Sequence, residues 1–214
     1  MKRKLMMAAL LTWVGISLLI LIASVPPQAV NADTQAFSPQ EQQDIKKGLA
    51  IAPVPLNLNG RNNNLVGLGS YIVNAQAGCN DCHTNPPYTP GHDPFLGQPT
   101  RVNKEHYLAG GTQFGPFVSR NLTPDMNGLP AGLTLQQFFQ VMRRGTDFKH
   151  IPPHVPSEER DLLQVMPWPV YRNMSDRDLR SIYEYLRAIP HAEPEPPPPA
   201  TENPRSSGRT STTP

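Results

Sequence analysis

The chain has 214 residues, with 19 basic against 17 acidic side chains and a net charge of +2. A balance so close to zero argues against a nucleic-acid partner and supplies no global steering charge, so docking on any other protein must use local patches. The 26 prolines and 15 glycines predict long irregular stretches between whatever helices form.

In chain order, Lys2-Arg3-Lys4 precedes an apolar run from Leu5 to Val25, and Val30-Asn31-Ala32 offers a small-residue cleavage site. The run is long for a signal peptide and close to the length that spans a bilayer, so residues 1–32 fit both a cleaved signal and a retained N-terminal membrane anchor. Either way the rest of the chain is expected to be exported, to the periplasmic side of the bacterial cytoplasmic membrane. No cysteine lies in this region, which excludes a lipoprotein. Cleavage after Ala32 would leave 16 basic and 17 acidic groups, a net charge of −1.

Residues 33–64 read as a short helix and an extended linker. Ser38-Pro39-Gln40-Glu41 combines an N-cap, a proline at the first helical position and a capping-box glutamate, predicting a helix to about Ala50. Ala52 to Asn64 lacks periodicity and reads as a tether, which places the start of the main domain, residues 65–190, near Leu65. There Leu68, Tyr71, Ile72 and Ala75 recur at helical spacing, predicting an amphipathic helix that ends near Gly78.

Cys79-Asn80-Asp81-Cys82-His83 comes directly after it. Two thiols three apart with an adjoining imidazole are the signature of covalent c-type haem attachment: the cysteines form thioethers and the histidine lies under the iron. By chance the pattern would arise in a chain of this length with a probability on the order of one in a thousand. A thioredoxin-like dithiol would need a βαβ surrounding, and a structural zinc would need two further ligands at suitable spacing, where His92 and His106 sit among loop residues. A disulfide within the motif would close too small a loop to stabilise much. The expected cofactor is one covalently attached c-type haem.

Residues 84 to 130 are rich in Pro and Gly and predict loop, with short extended pieces near Tyr107 and Phe117. Leu135, Phe138, Phe139 and Met142 mark a helix over Leu133 to Arg144, stopped by Gly145. A last helix runs from an N-cap at Ser175 to about Ile189, with Leu179, Ile182, Tyr183 and Leu186 inward and Pro190 ending it. Residues 191–214 contain no apolar side chain larger than Ala and read as a disordered Pro-rich tail.

Four methionines outside the leader compete for the iron's other side. Met142 belongs to a core stripe, Met174 precedes a helix N-cap as a packing residue, and Met126 lies in a loop beside Asn127-Gly128. Met166 is held out of a helix by Pro167 and Pro169 and is the expected distal ligand. His150 and His154 are separated by prolines that deny them a shared helical face. Arg101, Arg120, Arg143 and Arg144 are candidates to pair with haem propionates, and Trp168 and Tyr171 to pack on the porphyrin.

Gly67-x-Gly69-x-Tyr71-Ile72-Val73, the cysteine motif, Gly110-Gly111, Asn121-Leu122-Thr123-Pro124-Asp125, and Met166-Pro167 before Tyr183-x-Tyr185-Leu186 resemble class I c-type cytochromes. The pattern is similar to the cytochrome c domains of membrane-bound alcohol and gluconate dehydrogenases, whose subunits typically contain three haem motifs where this chain has one. The resemblance implies a mainly α fold, a small single-haem cytochrome c-like helical domain with long Pro/Gly-rich loops. It implies that Cys79 and Cys82 bind the haem, with His83 proximal and Met166 distal. The implied role is that of an electron carrier rather than an enzyme, passing single electrons between a donor dehydrogenase and a respiratory acceptor. The alternatives are a haem peroxidase-like enzyme or a gas-binding haem sensor, both of which need an open distal iron site.

Overall fold

The computed structural model describes residues 36–148 and 162–196. The leader, His150, His154 and residues 197–214 lie outside the described residues. Among the described residues there are six helices and little strand, a helix-rich arrangement compatible with a mainly α fold. No helix among them is long and apolar enough to cross a membrane.

Helix α1, Pro39–Ile51, starts where its capping chemistry dictates. The Glu41 amide donates to Ser38 Oγ while the Ser38 amide donates to the Glu41 carboxylate at 2.7 Å. Helix α2, Asn63–Tyr71, is capped by Asn62, whose side-chain oxygen accepts from the amides of Asn64 and Leu65. The segment between them lies on the protein, with Val54 buried and the Asn57 amide donating to the Ala188 carbonyl at 2.8 Å. The compact unit begins at Phe37.

Helix α2 packs between α1 and α6, Asp176–Ala188, and glycines set both contacts. A Cβ at Gly48 of α1 would run into the Gly67 carbonyl, and one at Gly69 would run into the Ser181 carbonyl of α6. Across the first contact Ser70 Oγ donates to the Gly48 carbonyl at 2.7 Å. The Gly67-x-Gly69 pattern thus gives each neighbouring helix one bare strip of α2 backbone.

After Tyr71 the helix widens into a π-helical turn, Ile72–Gln76. The extra residue in that turn rotates the side chains beyond it, so Ile72 and Val73 are buried while Ala75, placed in the apolar stripe by 3.6-residue spacing, is exposed. Gly78, at φ +61°, then reverses the chain into α3, Cys79–His83.

Residues 84–134 contain a 3₁₀ turn, Pro94–Leu96, and a hairpin of β1, Gln113–Phe114, with β2, Phe117–Val118, pairing Gln113 with Val118 and Phe114 with Phe117. Phe117 is extended as expected. Tyr107, in contrast, lies in a turn and is fully buried, because its ring and hydroxyl are both claimed by the interior.

Helix α4, Leu135–Arg144, has Thr134 and Gln137 as a capping box and ends at Gly145, whose φ of +72° suits a helix stop. It starts two residues later than its apolar spacing suggests, because Thr134 takes the cap and Leu133 packs as a buried residue ahead of it. A single turn, α5, spans Trp168–Tyr171. Helix α6 is capped by Ser175 and Asp178 and buries Leu179, Ile182, Tyr183, Tyr185 and Leu186. Tyr183 meets Phe138 of α4 at a ring separation of 5.5 Å and donates to the Leu133 carbonyl.

The first residues of the expected tail stay on the protein. Asn121 Nδ2 donates to the Ala192 carbonyl at 2.8 Å and His106 Nδ1 to the Glu193 carbonyl at 2.8 Å. Backbone hydrogen bonding, which needs no apolar side chain, holds this segment.

Gly69→Ala should destabilise the fold by about 1–3 kcal/mol through overpacking, seen as a lower urea midpoint with an unchanged slope.

Candidate functional site

The π-helical turn aims α3, and a buried polar knot fixes that turn. Tyr107 Oη donates to Asn74 Oδ1 at 2.5 Å, Asn74 Nδ2 bonds the Ser70 carbonyl at 2.9 Å and Tyr185 Oη at 3.2 Å, and the two tyrosine hydroxyls meet at 3.0 Å. Burial pushes Tyr107 well above the ordinary tyrosine range and raises Tyr185 in the same direction. Asn74, Tyr107 and Tyr185 were not legible as a unit in the sequence, because they come from three distant segments.

Cys79, Cys82 and His83 line one cavity of about 610 Å³, and Met166 lines it from the opposite end of the chain. The rest of the wall is largely apolar, with Leu122, Phe138, Ile182 and Leu186 among its side chains. Both cysteines are free thiols. Cys79 is reached through the cavity but enclosed by protein, and burial pushes its thiol up to about 12, with Cys82 adding in the same sense. Cys82 is raised by burial and then by the Asp81 carboxylate.

His83 is oriented by main chain. Its Nδ1 lies 2.8 Å from the Arg120 carbonyl. A carbonyl can only accept, so Nδ1 holds the proton and Nε2 keeps a lone pair for a ligand. Burial lowers the pKa of His83, which favours that neutral form, although the bond to Arg120 opposes the shift. The Gly110 amide donates to the His83 carbonyl at 2.7 Å, and Gly110, at φ +79°, sits so close to Ser119 and Arg120 that a Cβ would collide with their backbone. This contact explains the glycine at 110 and brings the Arg120 peptide to the imidazole. Asn121 continues the turn, its Oδ1 accepting from the Thr123 amide and hydroxyl, which presents Leu122 to the cavity.

The other sequence candidates separate cleanly. Met126 is 98% exposed and has no part in the cavity wall. Met142 and Met174 do pack against the core, yet both also reach the cavity, so three methionines line it. Arg101 and Arg144 do not line it. Arg143 is turned to the α5–α6 junction, donating to the Arg172 and Met174 carbonyls and to Asp176. Arg120 lines the cavity with its guanidinium paired to Asp147. Tyr171 lines it too and donates to the Ala77 carbonyl at 3.0 Å, whereas Trp168 packs over Gly145 and lies outside the wall.

No model of a known protein family matches the chain. The chain is 30% identical over 122 residues, 55% of its length, to the fructose dehydrogenase cytochrome subunit of Gluconobacter japonicus. The match takes in 20% of that protein, so the chain spans about one-fifth of the relative's length. This supports a cytochrome c-like relationship at the level of a family, consistent with electron transfer in general.

A cytochrome relationship implies haem, and the donor set fits one. Two free thiols, an imidazole whose Nδ1 proton is already engaged and a thioether share a mostly apolar cavity whose volume is in the range of cofactor sites. Among the described residues no group of three or more His, Cys, Asp or Glu side chains could hold a metal ion.

The tyrosine knot makes an alkaline prediction. A phenol whose folded pKa is raised stabilises the fold fully below its unfolded value of 10.0, and that stabilisation is lost as pH rises toward the folded value. The phenolate absorbance of Tyr107 and Tyr185 should therefore appear together with cooperative unfolding above pH 10. Tyr107→Phe should remove one phenolate from that step and cost about 1–3 kcal/mol at neutral pH, read by urea unfolding.

Proposed function

We propose that this protein is a monohaem c-type electron carrier, with Cys79 and Cys82 as thioether anchors, His83 as proximal ligand and Met166 as distal ligand. The convergence of two free thiols, His83 and Met166 on one apolar cavity supports this reading above all. The haem would supply a one-electron couple of the iron. The chain's own residues anchor and orient it: the Arg120 carbonyl holds the imidazole proton, and the apolar wall excludes water from the iron's surroundings.

Met166 is preferred to Met142 and Met174 on grounds of backbone. Met142 is 4% exposed within the α4 core stripe, and Met174 is tied at its carbonyl by Arg143 immediately before the Ser175 cap. Met166 sits on a non-helical segment followed by Pro167, where its side chain packs only partly buried against the core.

The donor is proposed to be a dehydrogenase, as the relative's name and the resemblance suggest, and the acceptor a respiratory component. Export to the periplasmic side, with residues 1–32 as signal or anchor, is part of the same reading and is supported by Lys2-Arg3-Lys4 and the apolar run after it.

Protein matured in a host that attaches c-type haem should show the weak red absorption band of Met-ligated ferric haem. Met166→Ala should keep the haem, abolish that band and lower the reduction potential, while Met174→Ala should retain the band. The reverse pattern would move the distal role to Met174. A high-spin parent without the band would favour the peroxidase-like or gas-binding alternatives.

A further inference from the structure

The three residues after α4 touch both flanks of the cavity. On one flank, the Leu163 amide donates to the Gly145 carbonyl at 2.7 Å and Thr146 forms a bridge with Leu162, so the segment leading to Met166 hangs from residues 145 and 146. Trp168 closes over Gly145 and its Nε1 donates to the Leu163 carbonyl at 3.2 Å, clamping the same segment from its far end. On the other flank, Arg120 Nη2 reaches both carboxylate oxygens of Asp147, at 3.0 and 2.8 Å. The Asp147 side chain is only 5% exposed. A carboxylate so enclosed is costly without a charged partner, so the pair is a constraint and not a loose surface contact. Arg120 is also the residue whose carbonyl receives the His83 Nδ1 proton.

We propose that Asp147 is a positioning residue for both axial ligands. Through Arg120 it fixes the carbonyl that orients His83, and through its own strap, Gly145-Thr146-Asp147, it holds the segment that presents Met166. The guanidinium named from sequence as a candidate propionate partner takes part in this coupling through its Nη2. The inference rests on the haem reading given above.

The test uses the haem-loaded full chain. In the reduced protein, solvent exchange of the His83 Nδ1 proton is followed by NMR, and in the oxidised protein the red Met-ligation band is recorded. Asp147→Asn should accelerate Nδ1 exchange about tenfold, the loss of roughly one charge-assisted hydrogen bond, and weaken the red band, with amide exchange in α2 and α6 unchanged. Arg120→Lys, which keeps the charge but not the planar reach, should move both readouts the same way by less. If Asp147→Asn fails to accumulate, Arg120→Lys decides by the same criteria. Unchanged Nδ1 exchange and band, or an equal acceleration across α2 and α6, would overturn the proposal. A parent lacking the red band overturns the haem reading and this inference with it, whereas a normal parent with silent variants overturns this inference alone.

Discussion

Backbone-to-backbone approach of α2 to α1 and α6 is the constraint on which the rest of the structure depends. At Gly67 and Gly69 the helix has no side chain to hold its neighbours away, and the facing groups are the Ile45 and Ser181 carbonyls together with the side chains around them. Helices that pack so closely cannot slide by a fraction of a turn without driving backbone atoms together, since a packed interior has few alternative arrangements. The C-terminal end of α2 is therefore fixed in space, and so is the point from which α3 departs. A motif of five residues has no means of placing itself. Here its position is inherited from two glycine contacts and transmitted through a wide turn that the Asn74–Tyr107–Tyr185 knot holds.

The loop-rich half is built on a different principle. Between α3 and α4 there is little regular pairing, and order comes from main-chain groups answered one at a time: Gly110 to His83, Gly111 to Ser119, Leu122 to Leu108. Each such bond contributes little by itself, about 1 kcal/mol net, but an unanswered buried group would cost more. The consequence for the site is that the imidazole is oriented by a carbonyl from this half, so proximal geometry depends on loops rather than on the helical core. The apolar wall joins the two halves, with Ile182 and Leu186 from α6 and Leu122 and Phe117 from the loops all lining the one cavity.

Electrostatics in this chain are local. The net charge is small, and two ion pairs act as joints between segments: Arg177 with Glu41 ties α6 to α1, and Arg120 with Asp147 ties the loop half to the end of α4. Both join residues far apart in sequence, and both have one partner largely withdrawn from water, where screening is weaker than at the surface. Residues that a sequence reading treats as solvated charges thereby acquire structural roles.

The range of each interaction sets how much of it could be read in advance. Helix starts at Ser38 and Ser175, the stops near Gly145 and Pro190, and the inward faces of α4 and α6 are set by neighbours three or four residues away, so periodicity and capping chemistry reveal them. The two thiols and the histidine were legible for the same reason, being adjacent in the chain. The exposure of Ala75 was hidden because the wide turn that rotates it depends on Asn74 meeting Tyr107 and Tyr185. The fate of the four candidate arginines was hidden because charge says nothing about which carboxylate or carbonyl will be in reach. Likewise, proline placement singled out Met166, but only the folded chain shows Met142 and Met174 at the same cavity. By itself the sequence determined the helix starts at Ser38 and Ser175, the stops near Gly145 and Pro190 and which residues form the cysteine–histidine motif, since those depend on contacts within a few residues. The tertiary structure alone decided that the Arg120 carbonyl meets His83, that Asp147 engages Arg120 and that the Met166 segment hangs from residues 145 and 146, because those contacts join segments whose meeting is set by global packing.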